Sequence, residues 1–282
     1  MKKLLLLCFF AFQISIFSQE KTDSIPKKWS ITGKLTFLFN QNNFSNWKSG
    51  GENTVAGNIG VNYDFNYKNN NINWDNRIIT DFGLSYSKEN SYQKTNDNYE
   101  YNSLLGVKTK KDWFLSFFLN FKSQYARGYD YKKTPKIAVS DWFSPAYLSF
   151  GPGMLWKKSD NAKINIAPAT AKITFVSDEF SGQYGVEQGD NIKFSLGFNL
   201  SGYLKFEVMK NVKMENIITL YSDYFNKPEN IDLDYQINFF IYVNKVITMS
   251  LKFHTIIDDN ASSKIQFKEF FGFGIKYIFH KR

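Results

Sequence analysis

The chain is short of the residues on which catalysis and cross-linking depend. Of 282 residues, one is cysteine, two are histidine and six are proline. The lone Cys8 lies inside an apolar N-terminal run, too close to Lys3 to be a lipoprotein acylation site. Once that run is removed no thiol remains, which excludes disulfides, thiol nucleophiles and cysteine metal sites. No P-loop, Gly-rich dinucleotide turn or zinc spacing is present. After the N-terminus no stretch approaches ~18 uninterrupted apolar residues. The mean hydropathy is −0.38, so a bundle of membrane-spanning helices is excluded. No Pro/Gly/Ser-rich linker divides the chain, which reads as one domain.

Aromatic residues, by contrast, are abundant at 18%, with 29 Phe, 17 Tyr and 6 Trp. At the N-terminus, Lys2 and Lys3 precede the apolar run Leu4 to Phe17, and small Ser15 and Ser18 sit before Gln19. That is the layout of a secretory signal cleaved after Ser18, and the run is too short for a spanning helix of about 20 residues. Residues 1–18 are therefore expected as signal peptide, 19–28 as a short periplasmic lead-in and 29–282 as the folded unit. Export, aromatic richness and low hydropathy together suit an outer-membrane barrel, in which only alternate residues meet lipid.

The alternation itself is explicit. Leu35, Phe37 and Phe39 alternate with Lys34 and Thr36, and Ile59, Val61, Tyr63 and Phe65 with Asn58, Asn62 and Asp64. The same period recurs from Ile192 to Glu207, from Leu233 to Val243 and from Phe267 to Phe279. Successive strand side chains point to opposite faces, so each run has one apolar and one polar face. The runs span roughly 10 to 15 residues, the length of a tilted membrane crossing, whereas soluble strands usually have about 5 or 6. Short turns are read at Lys68–Asn71, Lys110–Asp112, Ser159–Asn161, Met209–Asn211 and Asn244–Lys245. Longer polar loops are read at Asn40–Asn53, Ser87–Asn98, Arg127–Ala146, Ser177–Asp190, Asn226–Ile231 and Asp258–Ser262. The expected fold is all-β: a transmembrane antiparallel up-and-down β-barrel of about twelve strands, with short periplasmic turns and longer external loops. Ala146 to Phe175 is the irregular segment. Pro152 and Pro168 interrupt it and its parity changes between Ile166 and Ala169, which predicts a bulge.

Several residues carry candidate roles. The loop run Gln41-Asn42-Asn43-Phe44-Ser45-Asn46-Trp47-Lys48-Ser49-Gly50-Gly51-Glu52-Asn53 resembles an uncharacterised domain family of Bacteroidota outer-membrane proteins. The segments Asn120–Tyr129, Val139–Ala146 and Ala167–Thr174 resemble the same family. The resemblance implies a barrel and an outer-membrane location, and no activity. Gly50 and Gly51 permit close backbone approach. Phe44, Asn46 and Trp47 either fold the loop back as a lid or form a binding surface for a partner. Asp75, Arg77 and Asp81 share the inward parity of one strand, where charges pair for structure or set ion preference in a pore. Phe273, Ile275, Tyr277 and Phe279 form a terminal aromatic strand that reads as an insertion signal, or simply as an amphipathic last strand.

No cofactor or metal is expected. The acidic pairs Asp258–Asp259 and Asp178–Glu179 offer too few oxygens for calcium, which takes about six or more. His254 falls on the lumen parity and His280 at the terminal rim, with no strong serine motif beside either, so no enzyme is expected. The formal charge of +9 points to anionic lipid head groups or a cation-rich lumen. It does not point to nucleic acid, because no basic run carries interleaved stacking aromatics. The partners expected are outer-membrane lipid, the barrel-insertion machinery and proteins of an outer-membrane complex. Two roles remain: a non-enzymatic scaffold or interaction component of the envelope, or a narrow passive channel. About twelve strands enclose a lumen between filled eight-stranded barrels and wide porins. The inward groups Phe114, Phe118, Tyr203, Phe240 and Tyr242 argue that much of it is filled.

Overall fold

A computed structural model describes residues 28–43, 53–131 and 133–281. The segment expected as signal peptide, all of the expected lead-in except Lys28, and the loop residues Phe44, Asn46, Trp47, Gly50 and Gly51 lie outside the described residues. The strands are β1 Trp29–Asn42, β2 Thr54–Lys68, β3 Ile72–Ser87, β4 Ser91–Lys110, β5 Trp113–Ser123, β6 Gly128–Asp130 and β7 Ile137–Ser140. They continue as β8 Ala146–Ser159, β9 Ala162–Phe175, β10 Ile192–Met209, β11 Val212–Asp223, β12 Ile231–Tyr242, β13 Ile247–Asp258 and β14 Ser262–Lys281.

Twelve of these strands form a closed antiparallel barrel in which sequence neighbours pair, and β1 meets β14. The closing seam runs from Ile31 opposite Lys281 to Phe39 opposite Phe273. Between β5 and β8, the small β6–β7 hairpin sits within the connecting loop. The twelve-strand expectation holds. The Ser87–Asn98 loop does not: only residues 88–90 turn, and β4 begins at Ser91. Gln93 to Asn98 are all polar, so the apolar alternation that marks a strand is missing there, and a bulge between Gly83 and Leu84 shifts the register. The bulge predicted in Ala146–Phe175 is present. The β8–β9 register slips between Phe150 and Met154, and the β9–β10 register slips between Gly197 and Asn199. Pro168 lies in that slip, and its carbonyl accepts a bond from the Tyr224 hydroxyl at 2.6 Å.

Burial is the reverse of a soluble protein. Leu35, Phe37, Leu115, Phe117, Phe194, Phe271 and Ile275 are exposed, while Asn58, Asn165, Asn199, Thr248 and Ser250 are buried. The parity explains this: the apolar set faces outward all round the barrel and the polar set inward. A continuous outer apolar band is what a bilayer covers, and closure leaves no unpaired edge within it. At the turn end, outward tryptophans ring half of the barrel. Trp29 packs on Tyr67 and Trp74 at 5.2 and 5.9 Å between ring centroids, and Trp113 lies opposite Trp156. Tryptophan collects at membrane–water interfaces, so this ring marks one edge of the band.

Two asparagines break the outward apolar pattern, and each is satisfied by a neighbouring tyrosine. Asn76 accepts from the Tyr101 hydroxyl at 2.9 Å and donates to the Phe65 carbonyl at 3.2 Å. Asn216 accepts from the Tyr235 hydroxyl at 3.0 Å. Without those partners a polar group in hydrocarbon is costly.

Candidate functional site

The lumen is the candidate site, and it has two levels. The turn-side half is filled. Phe114, Phe118, Leu155 and Phe240 point inward and are 5%, 8%, 1% and 7% exposed. Lys34 Nζ lies 3.9 Å above the Phe240 ring, and Lys276 Nζ lies 3.4 Å above Tyr242. The five inward aromatics read from the sequence are thus in place, and lysine stems close the gaps between rings.

Ion pairs strut this half from wall to wall. Asp75 takes Lys157 at 2.8 Å and Lys163 at 2.9 Å, reaching from β3 to β8 and β9. Arg77 Nε donates to Asp64 at 2.6 Å and its NH1 approaches Glu215 at 3.7 Å. β3 and β11 are six places apart in the order of twelve, so that second contact spans the barrel. Glu215 is also held by the Tyr203 hydroxyl at 2.7 Å, Lys205 at 3.6 Å and Asn238 at 3.3 Å. Asp81, higher on β3, meets Lys252 of β13 at 3.5 Å. All three charges read on the third strand face inward and pair across the lumen.

The loop-side half is a polar well of about 600 Å³. Lys122 reaches from β5 to Asp234 on β12 at 2.7 Å, and His254 Nε2 shares that carboxylate at 2.9 Å. Lys172 binds Asp232 at 2.9 Å and approaches Asp258 at 3.7 Å. Glu100 accepts from Asn102 and Asn120 at 2.8 and 3.0 Å. Sequence parity placed His254 inside, but not its partner. Lys122, Lys172, Asp232, Asp234 and Glu215 all carry the inward parity of their strands, which is the one signal that finds them. Their pairing requires the three-dimensional stagger. The described residues contain no group of three His, Cys, Asp or Glu side chains able to hold a metal.

The mouth of the well is framed by two loops. Val176, Phe180 and Val186 form a small core against Ala138 and Tyr184. The Tyr184 hydroxyl donates to the Val139 carbonyl, and burial pushes its phenol pKa up. Arg127 bridges Asp141 and Glu179 across the same loops. Glu179 is thus occupied by a guanidinium, and Asp178 accepts from Asn191 at 2.8 Å. The terminal set Phe273, Ile275, Tyr277 and Phe279 faces outward on β14, and its strand closes the barrel against β1.

A family model described as "Protein of unknown function (DUF3078)" matches residues 39–129. No curated protein matches the chain. Among solved structures, an outer membrane channel from Pseudomonas putida F1 is similar at 8% identity and TM-score 0.40, over 94% of this chain and 100% of that one. The NanC porin is similar at 9% identity and TM-score 0.41, over 89% and 100%. The translocator domain of autotransporter NalP from Neisseria meningitidis is similar at 7% identity and TM-score 0.35, over 98% and 94%. What the lumen of this chain does follows from its own side chains.

Proposed function

We propose that the chain is an integral outer-membrane barrel that acts as a non-enzymatic scaffold or interaction component of the cell envelope, with a closed lumen. The filled turn-side half carries this reading: four apolar side chains under 9% exposed, packed among cross-barrel ion pairs. A diffusion channel needs a continuous wet path, and these rings and ion pairs lie across the lumen below its loop-side well. The outer apolar band and the tryptophan ring support the membrane placement. The strand ending in Phe273, Ile275, Tyr277 and Phe279 serves as the insertion signal, and the surface loops, Phe44 to Gly51 included, are where protein partners bind.

The test is the conductance of the purified barrel in planar lipid bilayers. A folded barrel that gives no reproducible open steps supports the proposal. Steps of constant size would overturn it and make the chain a narrow channel whose ion preference is set by Arg77 and Asp81.

A further inference from the structure

The positive charge is not spread evenly along the barrel axis. At the turn end, nine exposed lysines face three exposed acids, Asp112, Asp160 and Glu207, among the described residues. At the loop end, eight exposed acids meet seven exposed bases among the described residues. None of the nine turn-end lysines forms an ion pair among the described residues, and Asp160 is already held by Lys157 at 2.9 Å. Among the described residues the exposed surface thus carries six more bases than acids at the turn end and one more acid than bases at the loop end, so its positive surplus lies at one rim and is not neutralised there.

The lysines ring the rim rather than forming a patch. Lys68, Lys110 with Lys111, Lys158, Lys210 and Lys245 each flank or occupy a different one of the five turns. They also sit just outside the tryptophan ring: Lys28 precedes Trp29, Lys111 lies two residues before Trp113, and Lys158 lies two after Trp156. Tryptophan at this depth lies at head-group level, and a lysine one or two residues beyond reaches the phosphate layer on its flexible stem. A protein partner would need one coherent face, whereas a ring around the whole circumference matches the annulus of lipid that surrounds a barrel.

We propose that this lysine ring binds the head groups of anionic phospholipids in the leaflet at the turn end, holding the barrel at fixed depth and orientation. The proposal rests on the membrane-spanning reading of the fold. One lysine near an anionic surface contributes enough attraction for roughly a fivefold preference. The experiment compares spin-labelled phosphatidylglycerol with spin-labelled phosphatidylcholine bound to the full mature barrel in mixed bilayers. The wild type should prefer the anionic lipid about fivefold, and the preference should fall towards one in high salt. It should fall likewise in the variant Lys28→Gln/Lys68→Gln/Lys108→Gln/Lys110→Gln/Lys111→Gln/Lys158→Gln/Lys210→Gln/Lys213→Gln/Lys245→Gln, whose changes are all exposed and leave the barrel wall intact. Equal binding of both lipids by the wild type would overturn the proposal. So would a preference that survives in the variant, which would place the site elsewhere. Binding of soluble polyglutamate in place of any lipid preference would assign the ring to an acidic polypeptide and also overturn it. A chain that inserts into neither lipid would instead refute the membrane-spanning reading.

Discussion

If the turn-side lumen is held shut by charge as well as by rings, Arg77 is the residue to remove. Its guanidinium contacts Asp64 at 2.6 Å and approaches Glu215 at 3.7 Å. Replacing it with methionine keeps most of the stem and deletes the charge. The two carboxylates do not suffer equally. Glu215 retains Lys205, Tyr203 and Asn238, but Asp64 has no other ion pair among the described residues. The loss therefore falls mainly on Asp64. Breaking a fully buried pair costs about 3–5 kcal/mol, and here the side chains are 28% and 24% exposed, so water screens part of it. We expect Arg77→Met to lower stability by about 2–3 kcal/mol, Asp64→Asn by less, and the double variant by little more than Arg77→Met alone. The coupling energy in the double-mutant cycle should be about 1–2 kcal/mol. Urea unfolding in lipid vesicles, followed by gel mobility, measures all four proteins. A coupling within about 0.5 kcal/mol of zero would show that the pair is incidental and that the strut reading is wrong.

Three further perturbations test other parts of the structure. Phe118→Ala with Phe240→Ala removes two of the rings that fill the turn-side lumen and should produce conductance steps in planar bilayers; a silent double variant would show that these rings do not close the path. Tyr101→Phe strips Asn76 of its hydroxyl donor on the lipid-facing side and should cost about 1–3 kcal/mol in the same urea assay, and wild-type stability would refute that account. Gly274→Ala would drive a Cβ into the Phe37 carbonyl oxygen in the closing seam, whereas at Gly57 a Cβ meets nothing within 4 Å. The first should lose the heat-modifiable folded band on gels and the second should keep it; equal folding of both would mean the seam is not packed as described.

Alternation made the strands legible, because a period of two divides each run into a lipid-facing and a lumen-facing set without knowledge of the neighbours. Leu35, Phe37 and Phe39 announce their strand in this way, and even the bulge near Pro168 shows as a change of parity. The signal fails where one face has no apolar requirement. The loop-side part of β4, Gln93 to Asn98, is polar on both faces, so it reads as loop although it is paired. It fails again at Asn76 and Asn216, whose outward positions look like errors until the neighbouring strand is added. In both cases the tyrosine that satisfies the asparagine lies diagonally on the next strand, two residues from its direct register partner. Tyr101 is two before Ser103, and Tyr235 is two before Ile237. Diagonal neighbours lie within reach of an aromatic side chain. An outward asparagine with a tyrosine at that offset is a pattern that a reading of paired strands would find.

The lumen was legible only by half, and the missing half is geometric. Parity says that Asp75, Arg77, Lys122, Glu215, Asp234 and His254 point inward, but not which of them meet. Lys122 and Asp234 lie on strands five places apart around the barrel, and Arg77 and Glu215 on strands six apart. Such pairs depend on strand tilt and stagger, which no single strand encodes. The rim lysines present the opposite case. Their position follows from the turns alone, and turns are the easiest elements to place from sequence. A net charge of +9 could have been assigned to the lumen or to the surface. The structure separates the two: lumen lysines such as Lys122, Lys157, Lys163 and Lys172 each hold a carboxylate, and the rim lysines hold none among the described residues. Many of the charges that leave water are matched within the fold, while Lys34 and Lys276 rest on rings and the rim lysines stay at the barrel's surface. The electrostatics of a barrel can therefore be divided by depth before any partner is known.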